Sequence, residues 1–297
     1  MLSRMRSAFS SRLPLSHNSI GPTLGKATVD GVCTPPTPIP NEHRATLDLS
    51  SETGPDWLVN EGNFGENCVL AWDRRYESPE LRLRVTSPRA RKQPRRDVRI
   101  EIGSVIGGVH VNVIGMSSTL RIGYCKRFNC NIDLGMDSLV EIGDDCTAGS
   151  VRMMTARGVM RIGRDCMISG QVIANAGIHH ALVDIAAATP KVVPQRMNMA
   201  FGDHVWLGQS SYIVGKAQIG SGSVIGAASI VAGRVPANAV AVGNPAVVKK
   251  TDITWAREPD RMDEGFDAYM SAYQQSHANT PSGAEQVPPT TERTVSR

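Results

Sequence analysis

Two histidines, His179 and His180, stand side by side, with Asp184 four residues after the second. An imidazole of ordinary pKa, about 6.5, takes a proton from a hydroxyl near neutral pH. A carboxylate within reach can hold such a ring in one orientation and stabilise the charge it gains. These residue types therefore suit general-base activation of an alcohol, which is a poor nucleophile while neutral. The plain alternative is a solvated pair of loop histidines and an aspartate capping its own loop, and the residues alone favour it. No Ser or Cys motif stands beside a base, so no covalent intermediate on the protein is expected. A zinc site needs three placed ligands and an open position. Its candidates are His110, His179, His180 and His204, and adjacent histidines on one loop seldom ligate one ion. No metal is expected.

The segment that holds the pair, Asn175 to Ala200, interrupts a repeat. From Phe201 the chain divides into hexads whose first residues are Phe201, Leu207, Ile213, Ile219, Ile225 and Val231. All are bulky and apolar. The fifth residues, Val205, Ser211, Ala217, Ser223, Ser229 and Val235, are small or β-branched. Upstream, Ile-Gly dipeptides begin at Ile102, Ile122, Ile142 and Ile162, one every 20 residues, each preceded by Glu or Arg. Three hexads with two extra residues fill such a block, so each block reads as one three-sided coil. A period of six keeps no helical face apolar. One short strand and one tight corner per hexad do fit, with coils stacked as parallel strands around a narrow core. Glycine is expected where the corner backbone opposes a Cβ. A loop leaving such a rigid solenoid is where function concentrates.

Composition agrees with this architecture. The 297 residues are 41% hydrophobic but only 5% aromatic, which suits a core of small and β-branched side chains. No run of ~18 apolar residues occurs, so no membrane-spanning helix is expected. Residues 1–66 read as a largely disordered extension with a Pro-rich, polyproline-like stretch at 33–40, and 67–97 as an irregular basic lead-in. Residues 98–256 read as the solenoid. Residues 257–297 read as a short helix, with Met262, Phe266, Met270 and Tyr273 on one face, and a disordered tail. The segment before Asp30 is basic and acid-free, like a transit peptide, but lacks the apolar stretch of a secretory signal. It is read as a flexible N-terminus. The six cysteines contain no C-x-x-C and read as buried small hydrophobes in a reducing compartment, so a cytoplasmic location is expected. Between Leu81 and Ile100, eight basic residues face one acid, Asp97. The expected reading is a solvated strand face. The sharper one is peripheral contact of residues 82–99 with a polyanion or membrane surface. No aromatics interleave with these charges, so nucleic acid is not expected.

Six segments in order carry a family resemblance: Ile142-Gly-Asp-Asp-Cys-Thr, His180-Ala-Leu-Val-Asp184, Gly202-Asp-His-Val-Trp-Leu-Gly208, Gly220-Ser-Gly-Ser-Val-Ile-Gly226-Ala227, Gly243-Asn-Pro-Ala246 and Thr254-Trp-Ala-Arg257. They resemble the hexapeptide-repeat acyltransferases, most closely the branch that O-acetylates polysaccharides and sugars. The resemblance implies an all-β fold, a left-handed parallel β-helix with flexible extensions. It implies acetyl-CoA as co-substrate, a sugar or polysaccharide acceptor, and a homotrimer with each site between two solenoids. It makes His180 the general base, oriented by Asp184, with His179 beside the acceptor. It sets His204 and Trp206 near the acceptor and the pantetheine arm. Gln209 and Ala227 fall where relatives touch acyl-CoA, and Lys249 and Lys250 can pair with its phosphates. Two departures stand out: Ala232-Gly233 replaces a frequent Thr-Lys, and Val247 replaces a frequent basic residue. Other readings are an antibiotic or small-molecule acetyltransferase, a metal-dependent enzyme like the β-helical carbonic anhydrases, and a non-catalytic scaffold.

Overall fold

The computed structural model describes residues 31–51, 53–76, 81–88, 93–178, 180–186, 189–193 and 195–278. The chain winds into a three-faced solenoid of short parallel strands. On the first face, Ile102, Ile122, Ile142, Ile162, Phe201, Ile219 and Val235 pair in register from coil to coil. On the second face the column is Phe128, Ala148, Ile168, Leu207, Ile225 and Ala241. On the third it is Val85, Val111, Ile132, Met153, Ala174, Ile213 and Val231. Every member of the three columns is buried. The hexad leaders and the small fifth residues therefore all point inward, and the 20-residue period is one coil. Burial of each Ile or Leu contributes about 1.5–3 kcal/mol, and stacking makes these contributions contiguous.

Glycine acts differently from the expectation. The Ile-Gly glycines are not left-handed, and their requirement is closeness. A Cβ on Gly143 would lie 2.7 Å from the Arg164 nitrogen, and one on Gly163 would lie 2.7 Å from the Gly202 carbonyl carbon. The left-handed corner positions go instead to Arg127, Asp145, Asp165, His204 and Asn238, with φ of 49° to 61°. Polar residues tolerate that region better than β-branched ones.

The solenoid starts earlier than residue 98. Parallel pairing reaches back to strands Leu58–Glu61 and Cys68–Asp73, and strand Arg44–Asp48 closes the first face antiparallel to Cys68–Asp73. Residues 31–40 are extended and pinned along the corner between the first and second faces, so the expected disorder of 1–66 does not extend to them. The Ser221 hydroxyl donates to the Val32 carbonyl at 2.8 Å, and the Thr34 N–H and hydroxyl donate to Asp203 at 2.7 and 2.5 Å. Thr37 bonds Asp144 in the same way. The physical match is one of period. Three residues of polyproline helix rise about 9.3 Å, close to two coils at about 4.8 Å each. Thr34 and Thr37 thus meet aspartates two coils apart.

At the other end, strand Ala246–Thr251 folds back antiparallel on Ala239–Gly243. Helix α1, Glu264–Ala278, follows. Asp263 caps it, its carboxylate accepting from the N–H groups of Gly265 and Phe266 at 2.9 and 3.1 Å. The inward face of α1 carries Phe266, Tyr269, Met270 and Tyr273, whereas Met262 is exposed. No helix among the described residues is long and apolar enough to cross a membrane.

Candidate functional site

The third-face strand Val172–Gly177 and the first-face strand Met197–Phe201 both belong to the ladder. The interruption is therefore narrower than Asn175 to Ala200. It is a loop of residues 178–196 at the corner between third and first faces. Within it Leu182–Asp184 and Lys191–Val193 form an antiparallel hairpin. The hairpin presents apolar side chains to solvent: Leu182, Val183, Val192 and Val193 are exposed, and Ile185 is 83% exposed. Among the described residues nothing covers this apolar surface.

His180 lies at the start of the hairpin and is exposed. His179 lies outside the described residues. Asp184 is exposed, and its carboxylate accepts from the N–H of Ala186 at 2.9 Å. It does not hydrogen-bond His180, so the expected orienting contact is absent within one chain. The foot of the loop has a feature that sequence reading missed. Gln195 Nε2, Asn198 Oδ1 and Gln218 Oε1 are buried there without hydrogen-bond partners among the described residues. Gln218 Nε2 donates to the Asn198 carbonyl at 2.7 Å, tying two of these residues together. Leaving buried polar atoms unpaired costs about 1–3 kcal/mol each. No motif or spacing marks them, because amide side chains carry no periodic signal.

Gln209 and Ala227 do come together. They occupy successive coils at the corner between second and third faces, where the N–H of Ala228 donates to the Gln209 carbonyl at 2.9 Å. Both are exposed. The small Ala227 and Ala228 leave the corner backbone open, which suits a long, narrow ligand laid along it. This corner and the loop corner bound opposite edges of the third face. Lys249 and Lys250 are exposed on the fold-back strand. Ala246 sits opposite Gly243 at the corner, whereas Lys250 sits opposite Val240, back along the second face. The lysines are therefore offset from Ala227.

His204 requires a correction. It was expected beside the acceptor, yet it is 1% exposed. Its ring is sandwiched between Trp255 and Tyr269, with centroids 4.3 and 4.6 Å away. Nδ1 lies 2.7 Å from Asp165 Oδ2, and Nε2 lies 2.8 Å from the Trp255 carbonyl oxygen. Each ring nitrogen thus faces a hydrogen-bond acceptor. Arg257 closes the cluster, 2.6 Å from Asp165 Oδ1. Burial opposes charge on Asp165, but the hydrogen bonds from His204 and Arg257, with the charge of Arg257, hold its carboxyl below its ordinary range. His204 thus fastens the C-terminal segment to the solenoid. Trp206 is half-buried, donating to the Ser169 hydroxyl at 3.2 Å and tilted against Trp255 at 6.1 Å. His110 is far from this cluster, on the outer third face beside Thr86 Oγ1 at 3.1 Å. The zinc-ligand candidates within the described residues are therefore dispersed.

The basic stretch is also divided. Arg95 is buried, donating to the Val113 carbonyl at 3.0 Å. Arg99 pairs with Glu101 at 2.7 Å. Glu101, Arg121, Glu141 and Arg161, the residues before each Ile-Gly, form a ladder of alternating charge. Arg82 and Arg84 point outward. Arg89, Arg91 and Lys92 lie outside the described residues. Of the cysteines, Cys68, Cys125, Cys130, Cys146 and Cys166 are buried and Cys33 is half-buried. Burial, with the nearby Asp203 carboxylate, pushes the Cys33 thiol up to about 12.

No family model matches the chain. Among curated proteins it is 27% identical over 146 residues to a putative lipopolysaccharide biosynthesis O-acetyl transferase, WbbJ, of Escherichia coli K12, covering 43% of this chain and 71% of that one. It is 35% identical over 139 residues to a polysialic acid O-acetyltransferase of Escherichia coli O1:K1, covering 46% of this chain and 45% of that one. It is 34% identical over 109 residues to a putative colanic acid biosynthesis acetyltransferase, WcaF, of Escherichia coli K12, covering 36% of this chain and 56% of that one. The chain thus spans about half the length of the last two. Among solved structures, the polysialic acid-specific acetyltransferase NeuO aligns with a TM-score of 0.55 and 26% identity, over 73% of this chain and 97% of that one. The polysialic acid O-acetyltransferase OatWY aligns with a TM-score of 0.54 and 19% identity, over 63% and 89%.

Proposed function

We propose a function from two premises: the fold is the left-handed parallel β-helix, and the chain resembles the hexapeptide-repeat acetyltransferases in sequence and structure. The function proposed is movement of an acetyl group from acetyl-CoA to a hydroxyl of a sugar or surface polysaccharide, with His180 as general base. The observation that carries this reading is the exposed imidazole on the loop that breaks the solenoid, on a fold shared with O-acetyltransferases.

His180 would accept the proton of the acceptor hydroxyl as its oxygen becomes nucleophilic. Gln209 and Ala227 would hold the donor along their open corner, with Lys249 and Lys250 as charges for its phosphates. Bound acetyl-CoA would supply an activated thioester carbonyl. Trp206 would wall the site, and His179 would contact the acceptor. Asp184 would orient His180 once the hairpin is covered. Because the loop corner and the Gln209–Ala227 corner flank opposite edges of one face, the site is completed by a neighbouring copy, as in a homotrimer. The exposed apolar hairpin supports the same assembly.

His180→Ala tests the base. Transfer is followed by free-thiol release from acetyl-CoA against a panel of glycans. A general base contributes ~10²–10⁴-fold, so the rate should fall by that factor while acetyl-CoA binding is unchanged. Near-normal turnover would overturn the assignment.

A further inference from the structure

The outer third face of the N-terminal coils carries side chains that this reaction does not use. Strands Leu81–Thr86, Gly107–Val113, Phe128–Leu134 and Thr147–Ala156 stack there in parallel. Their outward residues align into rows. Arg84, His110, Asn131 and Arg152 register one above another, and Thr86, Asn112 and Asp133 form a second row. Gly108 stands over Arg82. Having no side chain, Gly108 leaves a shallow recess of about 280 Å³ walled by Arg82, Arg84, His110, Asn129 and Asn131.

The charge of this plane is uneven. Arg84 pairs with Glu61 at 3.1 Å and Arg152 with Asp133 at 2.8 Å, which occupies both nearby carboxylates. Among the described residues no carboxylate pairs with Arg82. Lys126 and Arg127, exposed at the corner leading into Phe128–Leu134, are likewise without one. Among the described residues the remainder is a net positive recess bordered by amides, a hydroxyl and an imidazole.

We infer that this plane binds an extended, carboxylate-bearing polysaccharide lying along the solenoid axis. Guanidinium groups match carboxylates geometrically. The asparagine side chains and His110 both donate and accept, as sugar hydroxyls require. Coils repeat every ~4.8 Å, so each presents a polar side chain of the row one step further along. Among the outward side chains of these four strands there is no Phe, Tyr or Trp on which a nucleic-acid base would stack. The strand Val172–Gly177 stacks directly on Thr147–Ala156, and the loop bearing His180 leaves from its end. A polymer on these rows therefore runs toward the foot of that loop. The inference deepens the proposed function by naming an acidic polymer as acceptor, and it rests on that reading for its catalytic consequence only.

The test uses the full chain and the double variant Arg82→Ser/Arg152→Ser. Binding of hyaluronan, polysialic acid, neutral dextran and anionic phospholipid vesicles is measured by interferometry at several salt concentrations, with circular dichroism and thermal unfolding as folding controls. The wild type should bind one or both acidic polymers, weakening as salt rises, and should bind dextran at least tenfold more weakly. The folded double variant should lose at least tenfold in affinity for the acidic polymer. Its KM for long polymer should rise, while kcat on a short oligosaccharide is unchanged. Equal binding of dextran, tighter binding of vesicles, or unchanged affinity of the variant overturns the inference. If acidic polymer binds through Arg82 and Arg152 but no glycan is ever acetylated, the proposed function fails and this surface stands. If a glycan is acetylated and the variant binds as before, the reverse holds.

Discussion

His180 and His204 show how differently one side chain is used in one solenoid. His180 lies at the start of an exposed hairpin and is itself exposed. His204 occupies a left-handed corner position and is enclosed by Trp255, Tyr269 and Asp165. The His204–Asp165–Arg257 cluster sets an acid limit on the C-terminal closure. The Asp165 carboxyl is held below its ordinary range in the folded chain. Its contribution is therefore complete above the unfolded carboxylate value, about 3.9, and is lost as pH falls through the lower folded value. Tryptophan fluorescence during acid titration should show an acid-labile step of this origin. Asp165→Asn should weaken the closure at neutral pH and remove that step. An identical acid transition in the variant would show that Asp165 does not govern it.

At the level of elements, the coil is held by columns and the N-terminal segment by a period match. Ile142 lies between Ile122 and Ile162 and is fully buried. Ile142→Ala should cost ~3 kcal/mol in denaturant unfolding. The strap at 31–40 is more local. Replacing Thr34 and Thr37 by alanine together removes hydroxyl bonds to Asp203 and Asp144, leaving the columns untouched. Faster exchange of the Val32 to Thr37 amides is expected, with global unfolding shifted by only about 1–2 kcal/mol. A large global loss would mean that the strap is part of the cooperative core. The polyproline character of this segment was legible in the sequence. Its docking was not, because the aspartates it meets lie more than a hundred residues away and act only once coils stack.

For the whole molecule, the two halves of the proposed site sit at different corners. On the proposed reading, a prism with the base at one edge and the donor corner at another would gain a complete site when a second copy packed against it. Complementation tests this. His180→Ala and Ala227→Trp should each be inactive alone, because one lacks the base and the other fills the open corner. Co-expressed and purified as mixed oligomers, they should regain part of the activity, since some interfaces pair an intact loop with an intact corner. Absence of any recovery, with mixed oligomers demonstrated, would mean that each chain builds its own site.

The hexad pattern by itself determined the three-faced coil, its inward columns and the place where the coil is broken. These follow from local alternation of bulky, small and glycine residues, which recurs at a fixed spacing whatever lies elsewhere in the chain. Residues preceding the first Ile-Gly block lack that spacing, so their strands at 44–86 became visible only through pairing with later coils. The burial of His204, the turn-capping bond of Asp184 to Ala186 and the unpaired amides at the loop foot were likewise decided in three dimensions. Each depends on what a corner or loop side chain meets across coils, and a sequence period carries no record of that.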